Sequence, residues 1–303
     1  MHLYPSYRNS LARRRLRTLA GELMELLEDC TVCPHRCRVN RRKGELGFCR
    51  AGWEVEIGGY GPHFGEEPPL VGRGGSGTIF FSHCNLSCVF CQNFAISRGQ
   101  QGERVSLEQL ARIMLVLQER GCHNINLVTP THYVPQIVSA LALAAEWGLH
   151  IPLVYNCGGY EEKATLERLD GLVDIYMPDF KYADAQTGRR LSGVPDYPEV
   201  AKRALKEMHR QVGDLEMDEN GIARRGLIIR HLVLPEGLAG TEEVMEFIAR
   251  EISPYSYINL MEQYYPAGEA WRYEPLKRRL TSAEYTRARE AARRASPHFR
   301  LAE

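Results

Sequence analysis

The sequence has no excess charge of either sign and no long apolar run. Its 303 residues contain 38 Lys and Arg against 38 Asp and Glu, so the formal net charge is zero. A chain without a net charge has no general attraction for nucleic acid or an anionic membrane surface, and we expect neither as a partner. No stretch of about 18 apolar residues is present, and the first residues lack the apolar core of a secretory signal. We therefore expect a cytoplasmic protein.

Cysteine, in contrast, is plentiful and clustered. Nine cysteines are present, and seven of them fall into two groups. In a reducing cytoplasm, clustered cysteines bind metal more often than they form disulfides. The stretch 30-CTVCPHRCRVNRRKGELGFC-49 holds four of them, and 80-FFSHCNLSCVFCQN-93 holds three: Cys30, Cys33, Cys37 and Cys49, then Cys84, Cys88 and Cys91. The isolated Cys122 and Cys157 are typical of small buried apolar residues.

The group of three cysteines is one thiolate short of a structural zinc site. The nearest fourth ligand would be His83, which is adjacent to Cys84 and badly placed to complete a tetrahedron. An iron-sulfur cluster held by three cysteines leaves one iron free for a non-protein ligand, unlike the four-cysteine clusters that only carry electrons. The group also follows the apolar run 77–82 directly, and loops after strands form the catalytic face of α/β barrels. Chemistry is therefore expected at this loop.

The chain after residue 75 alternates between β-rich apolar runs and helical stretches. We predict strands at 77–82, 124–128, 151–155, 173–177, 226–234 and 256–261, and helices near 106–120, 133–147, 161–170, 197–213, 241–252 and 281–295. Six such units predict an α/β fold of parallel strands with right-handed crossovers, closed or nearly closed into a barrel. A doubly wound open sheet stays an alternative, because periodicity does not separate the two.

The first 75 residues read as an N-terminal, cysteine-rich extension, and residues 76–303 as the barrel domain with its C-terminal helix. The extension would consist of a helical lead-in (1–29), a four-cysteine knuckle (30–52) and a connector (53–75) rich in Gly and Pro. The connector glycines do not follow a strand and open a helix, so they favour a linker or a turn-rich hairpin over a phosphate-binding loop.

The three-cysteine stretch resembles a known signature. The spacing CxxxCxxC with an aromatic residue, Phe90, before the last cysteine is similar to that of radical S-adenosylmethionine (SAM) enzymes. More narrowly, FSHCNLSCVFCQN resembles the group related to pyruvate formate-lyase activating enzyme. The resemblance implies a partial (βα)6 barrel and a 4Fe-4S cluster on Cys84, Cys88 and Cys91, with SAM chelating the remaining iron. It also implies reductive cleavage of SAM to a 5′-deoxyadenosyl radical and an electron donor of the flavodoxin or ferredoxin type.

The resemblance also assigns cofactor contacts at the ends of the later strands. In 129-TPTHY-133, Thr129 and Thr131 take the place of the turn that binds the methionine amino group, although a β-rich turn around Pro130 explains them too. In 155-YNCGGY-160, Asn156 is placed to bind the ribose. A plain strand-to-helix turn is the alternative there.

Three further positions complete the expected cofactor and substrate cavity. In 178-PDFKY-182, Asp179 and Lys181 resemble a family element beside the substrate, with a surface ion pair as the alternative. Arg230 lies in the apolar run GLIIRHLVLP, where a guanidinium needs an anionic partner. The resemblance makes that partner the SAM carboxylate, and a structural salt bridge is the other reading. Gln263, after the sixth strand, is a candidate cavity or adenine contact.

The four-cysteine knuckle supplies enough thiolates for a metal site of its own. Its spacing departs from the two-cluster ferredoxin insertion of many glycyl-radical activators. A structural zinc site, a second iron-sulfur cluster and metal-free redox thiols all stay open, with zinc favoured.

The function favoured by these features is abstraction of a hydrogen atom from a substrate, with a glycine of a protein as the leading target. A peptide or small molecule is the alternative substrate, and a non-catalytic iron-sulfur electron carrier is the alternative class. The open iron, Asn156 and Arg230 favour the enzyme, because an electron carrier needs no ligand cavity. The lateral opening of a six-stranded partial barrel suits an extended protein or peptide segment.

Overall fold

The computed structural model describes residues 4–12, 14–99 and 101–302. Its strands are β1 (Val55–His63), β2 (Ser76–Phe81), β3 (Glu103–Val105), β4 (Ile125–Val128), β5 (Leu153–Cys157), β6 (Ile175–Pro178), β7 (Glu216–Met217), β8 (Ala223–Leu232), β9 (Tyr257–Met261) and β10 (Arg300–Leu301). Its helices are α1 (Tyr7–Ala12), α2 (Arg15–Glu25), α3 (Pro68–Val71), α4 (Phe94–Ser97), α5 (Leu107–Glu119), α6 (Val134–Glu146), α7 (Lys163–Arg168), α8 (Ala185–Ser192), α9 (Tyr197–Val212), α10 (Thr241–Glu251) and α11 (Ser282–Ala295).

The strands form one sheet in the order β10-β9-β8-β6-β5-β4-β2-β1-β3, with β7 paired to β8. The run from β2 through β4, β5, β6, β8 and β9 is parallel throughout, and β10 continues it. These six strands are the six predicted from the sequence, so the α/β fold of a parallel partial barrel is confirmed. The outermost strands, β3 and β10, do not pair with each other within the described residues, which leaves the barrel open on one side.

The connector supplies an antiparallel edge to this sheet. β1 pairs with β2 from Ile57 opposite Phe81 to His63 opposite Ser76, and β1 also pairs with β3. The hairpin reading of the connector is thus correct, and the predicted division at residue 75 falls between its two strands. Within the hairpin turn lies α3, whose Leu70 packs against Val154, Ile175 and Ile228 inside the barrel. The connector therefore closes one end of the barrel interior.

The helix termini explain several boundaries. Ser106 starts α5 with a capping box to Gln109, and Thr281 with Glu284 makes a second one at α11. Thr241 is the first helical residue of α10, and Gly240 stands before it at a φ of 64°. No helix in the described part of the chain is long and apolar enough to span a bilayer.

Candidate active site

The three-cysteine loop opens into a cavity at the carboxyl end of the barrel strands. β2 ends at Phe81, and the loop that follows brings Cys84, Cys88 and Cys91 to the wall of a cavity of about 400 Å³. His83 turns away from it, with a φ of 69° and its Nε2 3.0 Å from a carboxylate oxygen of Glu56. His83 is therefore not a fourth ligand beside the thiols. This agrees with its position next to Cys84, which is unsuitable for completing a tetrahedron.

Each of the three sulfur atoms has a hydrogen-bonding neighbour. The backbone N–H of Leu86 donates to Cys84 Sγ at 3.3 Å, and the hydroxyls of Ser192 and Ser97 lie 2.9 Å and 3.2 Å from the sulfurs of Cys88 and Cys91. Such donors stabilise thiolate ligands and tune the metal centre that they hold. The loop thus offers three supported thiolates and leaves the fourth direction to the cavity.

The electrostatic environment of these thiols calls for a positive partner. Burial raises the pKa of Cys84, and the adjacent Cys88 and Cys91 raise it further. Burial also raises the pKa of Cys88, with Lys181 acting in the opposite direction. Ionising these half-buried thiols together would gather negative charge that an iron-sulfur core would neutralise.

Across the chain as described, no group of three or more His, Cys, Asp or Glu side chains is gathered tightly enough to coordinate a single metal ion. A 4Fe-4S cluster is far wider than one ion, so thiolates that hold it stand farther apart than the ligands of zinc. The donor set of Cys84, Cys88 and Cys91, all sulfur and three in number, fits a cluster with one open iron.

Four of the predicted cavity residues form one charged network. Arg230 donates through Nε to Asp179 Oδ1 at 2.8 Å and through Nη2 to Asn156 Oδ1 at 2.7 Å. Lys181 Nζ donates to the other oxygen of Asp179 at 2.6 Å. Burial opposes ionisation of Asp179, but Arg230 and Lys181 outweigh it and hold the pKa of this carboxyl below its usual range. The Asp179–Lys181 pair is thus largely buried, and not the surface ion pair of the alternative reading.

Two residues of this network were missed in the sequence. Glu66 and Glu67 of the connector line the same cavity, and their carboxylate oxygens lie 3.9 Å and 3.8 Å from Nη1 of Arg230. Their side chains are only 8% and 3% exposed. The one available signal was the pair of acids just before 68-PPL-70, in a segment that reads as a solvated turn.

The remaining predicted contacts separate into two groups. Phe90 and Gln263 line the cavity, and Phe90 packs edge-on against Tyr182 and Tyr264. Thr129 lines it as well, with its N–H bonded to Asn156 O at 2.8 Å and a φ of 61°, which is strained for a β-branched residue. Thr131 is not part of the wall, because its hydroxyl donates to Glu161 at 2.7 Å.

The four-cysteine knuckle is built like a thiolate-binding turn. The backbone N–H of Phe48 donates to Cys37 Sγ at 3.4 Å. Neighbouring backbone groups at His35 and Ala51 act to lower the pKa of Cys33 and Cys49, although burial outweighs them. Burial raises the pKa of Cys33, and the charges of Cys49, Cys30 and Cys37 raise it further, so the four sulfurs share one neighbourhood. The chain turns around the four sulfurs through left-handed backbone at three arginines: Arg36, Arg38 and Arg50.

Two contacts join the knuckle to the active site. His35 Nε2 lies 2.9 Å from the backbone oxygen of Asn85, within the three-cysteine loop, and its ring stacks on Phe48 at 3.9 Å. Arg41, which is fully buried, donates to the carbonyls of Gly52 and His132, and His132 follows β4. The knuckle is thus fixed against both cofactor-facing loops.

Comparison with protein families assigns the chain to one of them. The radical SAM superfamily model matches residues 78–248. The chain is 34% identical over 280 residues to an uncharacterized protein of Methanocaldococcus jannaschii, which covers 88% of this chain and 75% of that protein. A structural match to HydG, a maturase of the FeFe hydrogenase, has a TM-score of 0.47 and 13% identity, and it covers 72% of this chain and 48% of HydG. The chain thus spans about half the length of HydG. The family match covers more than half of the sequence and contains all three loop cysteines, so this chain belongs to the radical SAM superfamily of enzymes, whose members use a 4Fe-4S cluster and SAM.

Proposed function

We propose that this enzyme abstracts a hydrogen atom from a glycine of a protein substrate, in the manner of the glycyl-radical activating enzymes. Cys84, Cys88 and Cys91 would hold the 4Fe-4S cluster, which when bound and reduced would supply one electron for cleavage of the C5′–S bond of SAM to methionine and a 5′-deoxyadenosyl radical, and this radical would take the substrate hydrogen. The observation that carries the proposal is a three-thiol loop opening into a polar cavity on an open-sided barrel.

The chain's own residues have distinct tasks in this proposal. Cys84, Cys88 and Cys91 hold the cluster, and Phe90 shields it by packing on Tyr182 and Tyr264. Asn156 and Thr129 face the cofactor from the ends of β5 and β4, and Gln263 does so from beyond β9.

Arg230 and Lys181 position charge around the cofactor. Because Arg230 already serves Asp179 and Asn156, a SAM carboxylate would meet its remaining nitrogen, Nη1, in competition with Glu66 and Glu67. Lys181 lies near the thiolate of Cys88 and favours its ionised form. Arg230 and Lys181 together thus offset the negative charge of the thiolates, of Asp179 and of the cofactor carboxylate within this cavity.

The choice of a macromolecular substrate depends on the open side of the barrel. A small-molecule enzyme more often encloses its substrate on all sides, whereas an extended peptide enters through a gap. Electrons would come from a flavodoxin- or ferredoxin-type protein. A radical enzyme that acts on a free peptide or small molecule is the alternative.

The test uses SAM deuterated at the 5′ position and anaerobic cell extract fractionated by size. Fractions are added to the reduced enzyme, and 5′-deoxyadenosine formation is measured for each. Stimulation by a protein fraction, together with a glycyl doublet in its electron paramagnetic resonance spectrum, is expected. Stimulation confined to the small-molecule fraction would contradict the activating-enzyme proposal and favour the alternative.

We also propose that Cys30, Cys33, Cys37 and Cys49 hold a second metal centre, with a structural zinc ion favoured and a second iron-sulfur cluster as the alternative. To coordinate zinc, the four sulfurs would have to draw closer together than they stand within the described residues. The support is the shared neighbourhood of the four sulfurs and the backbone N–H of Phe48, which donates to Cys37 Sγ. Metal analysis of the triple alanine variant of Cys84, Cys88 and Cys91 should still find one centre. One zinc supports the structural site, about four irons support a cluster, and no metal contradicts both.

A further inference from the structure

The floor of the cavity is made by the connector, which the rest of the mechanism does not use. Leu70 anchors α3 among the inward-facing apolar side chains of β5, β6 and β8. This anchor places the two preceding acids, Glu66 and Glu67, inside the barrel instead of in solvent. Burying two adjacent carboxylates has a large desolvation cost, so a positively charged or hydrogen-bonding partner is needed to stabilise them there.

The cations in the described part of the cavity wall do not balance its acids. Three carboxylates, Glu66, Glu67 and Asp179, face two cations, Arg230 and Lys181. Lys181 is bonded to Asp179, and Arg230 gives its short contacts to Asp179 and Asn156, leaving the two glutamates at nearly 4 Å.

The charge left over lies on Glu67. His63 Nδ1 is 3.4 Å from Glu66 Oε1, and within the described residues no ion pair joins His63 to Glu67. Burial raises the pKa of Glu66, with Arg230 acting in the opposite direction. Glu67, buried and paired only at long range with Arg230, is the acid whose charge is least compensated.

Unused hydrogen-bond acceptors point in the same direction. Glu67 Oε1 accepts from Asn259 Nδ2 at 3.0 Å, but Oε2 has no donor in the chain as described. Asn126, fully buried in β4, shares the interior face of Val128 on the cavity wall, and its amide lies beside Glu66 but makes no hydrogen bond of good geometry within the described residues. Buried polar groups without partners are rare and costly, so a group that supplies N–H donors here would be strongly favoured.

Other kinds of ligand fit these groups poorly. An anion other than the cofactor carboxylate at Arg230 would add to the excess of carboxylates, and an apolar group would leave Glu67 Oε2 unpaired. A neutral hydroxyl would pair Oε2 but leave its charge uncompensated. A single metal ion would need a tighter set of ligands than any within the described residues. What remains is an organic cation with several N–H donors.

We propose that Glu66 and Glu67 receive a cationic nitrogen group of the substrate, a primary ammonium or a guanidinium, with Glu67 as the main contact. The inference rests on the proposed function, since it takes this cavity to be the substrate cavity. In a protein substrate, the group is the end of a lysine or arginine side chain near the carbon that loses hydrogen. Glu67 is then a specificity-determining residue, because a neutral side chain leaves its carboxylate unpaired.

The experiment measures binding of matched probes to the cluster-loaded, SAM-bound enzyme by ligand-observed NMR. N-acetyl-lysine methylamide is compared with its norleucine analogue, and N-acetyl-arginine methylamide with its citrulline analogue. We expect the cationic member of at least one pair to bind and its neutral analogue to bind at least about 10-fold more weakly, the effect of one charged hydrogen bond. Glu67→Gln should remove that preference, and the exposed Glu219→Gln should keep it.

Glu66→Gln serves as a second variant if Glu67→Gln does not fold, and it should reduce the same preference. Equal binding of charged and neutral probes to the wild type, or an undiminished preference in the folded glutamine variants, would overturn the proposal. SAM cleavage is measured on the same samples without a probe. Its absence would overturn the proposed function while leaving the binding result intact.

Discussion

Replacing Arg230 with alanine is expected to destabilise the protein strongly and in a pH-dependent manner. The substitution leaves Asp179, Glu66 and Glu67 in the barrel interior with Lys181 as their remaining cation in the described cavity wall. It also leaves the side-chain oxygen of Asn156 without its donor at 2.7 Å. Removing one partner from a buried ion pair typically costs about 3–5 kcal/mol, because the other partner stays buried and uncompensated.

The pH dependence follows from the pKa shifts. In the wild type, Arg230 is a main cause of the lowered pKa of Asp179. The Asp179 carboxylate therefore contributes stability above its unfolded pKa, and this contribution is lost only as pH falls through the lowered folded pKa. Without Arg230, burial carries more weight and the folded pKa values of Asp179 and Glu66 rise. The variant can then protonate them at low pH, so its deficit should be largest near pH 8 and shrink toward pH 5.5.

The free energy of unfolding is measured by anaerobic urea titration at both pH values. Arg294→Ala is the matched control, since its ion pair with Glu242, at 3.3 Å, is exposed on both sides and should be worth less than about 1 kcal/mol. Calorimetry should also show SAM affinity weakened by about 1.5–3 kcal/mol with the iron content unchanged. A loss of stability at pH 8 no larger than that of the control, or one that does not change with pH, would refute this account of Arg230.

Three further changes test other parts of the site. Burial raises the pKa of Glu161 to about 7, so the stability that this residue contributes is complete below about pH 4.5 and is lost as pH rises to 7. The free energy of unfolding should fall by about 3 kcal/mol over this range. Glu161→Gln should remove that pH dependence in thermal or urea unfolding. Thr129→Gly should relieve left-handed strain and stabilise by about 1 kcal/mol in urea, while slowing SAM cleavage. Ser192→Ala should lower the cluster reduction potential in a redox titration, because the hydroxyl near Cys88 stabilises the more negative, reduced state. An unchanged pH profile, a less stable glycine variant or an unmoved potential would contradict the respective arguments.

Most of the parallel sheet was predictable, because its signal is local. Each of the six strands is a short apolar run followed by an amphipathic helix, and such units assemble in few ways. For the connector, a linker or a turn-rich hairpin was predicted without strand bounds. The β1 sequence, VEIGGYGPH, is rich in glycine, and the strand is stabilised by pairing with β2 and β3, which a local pattern does not reveal. α8, AQTGRRLS, is short and polar, and it follows a cap made by Asp184.

The site was predictable where function is concentrated in one motif. Cys84, Cys88, Cys91 and Phe90 lie within eight residues, and strand ends brought Asn156, Asp179 and Arg230 to the same cavity. Glu66 and Glu67 could not be placed from sequence, because only the insertion of Leu70 into the barrel turns a polar connector into a cavity floor. Thr131 faces Glu161 because the turn after β4 is a 3-10 helix, which rotates it away from Thr129.

The most direct test of the central claim is SAM cleavage by the anaerobically reconstituted and chemically reduced protein, compared with its Cys88→Ala variant. The wild type should release 5′-deoxyadenosine and methionine and show the spectrum of a 4Fe-4S cluster. The variant should release neither product. Only two thiolates of the loop remain, and these do not hold a cluster with a single iron open to SAM. Full cleavage activity in the Cys88→Ala variant, or none in a wild type loaded with four irons, would contradict the assignment of this loop as the catalytic centre.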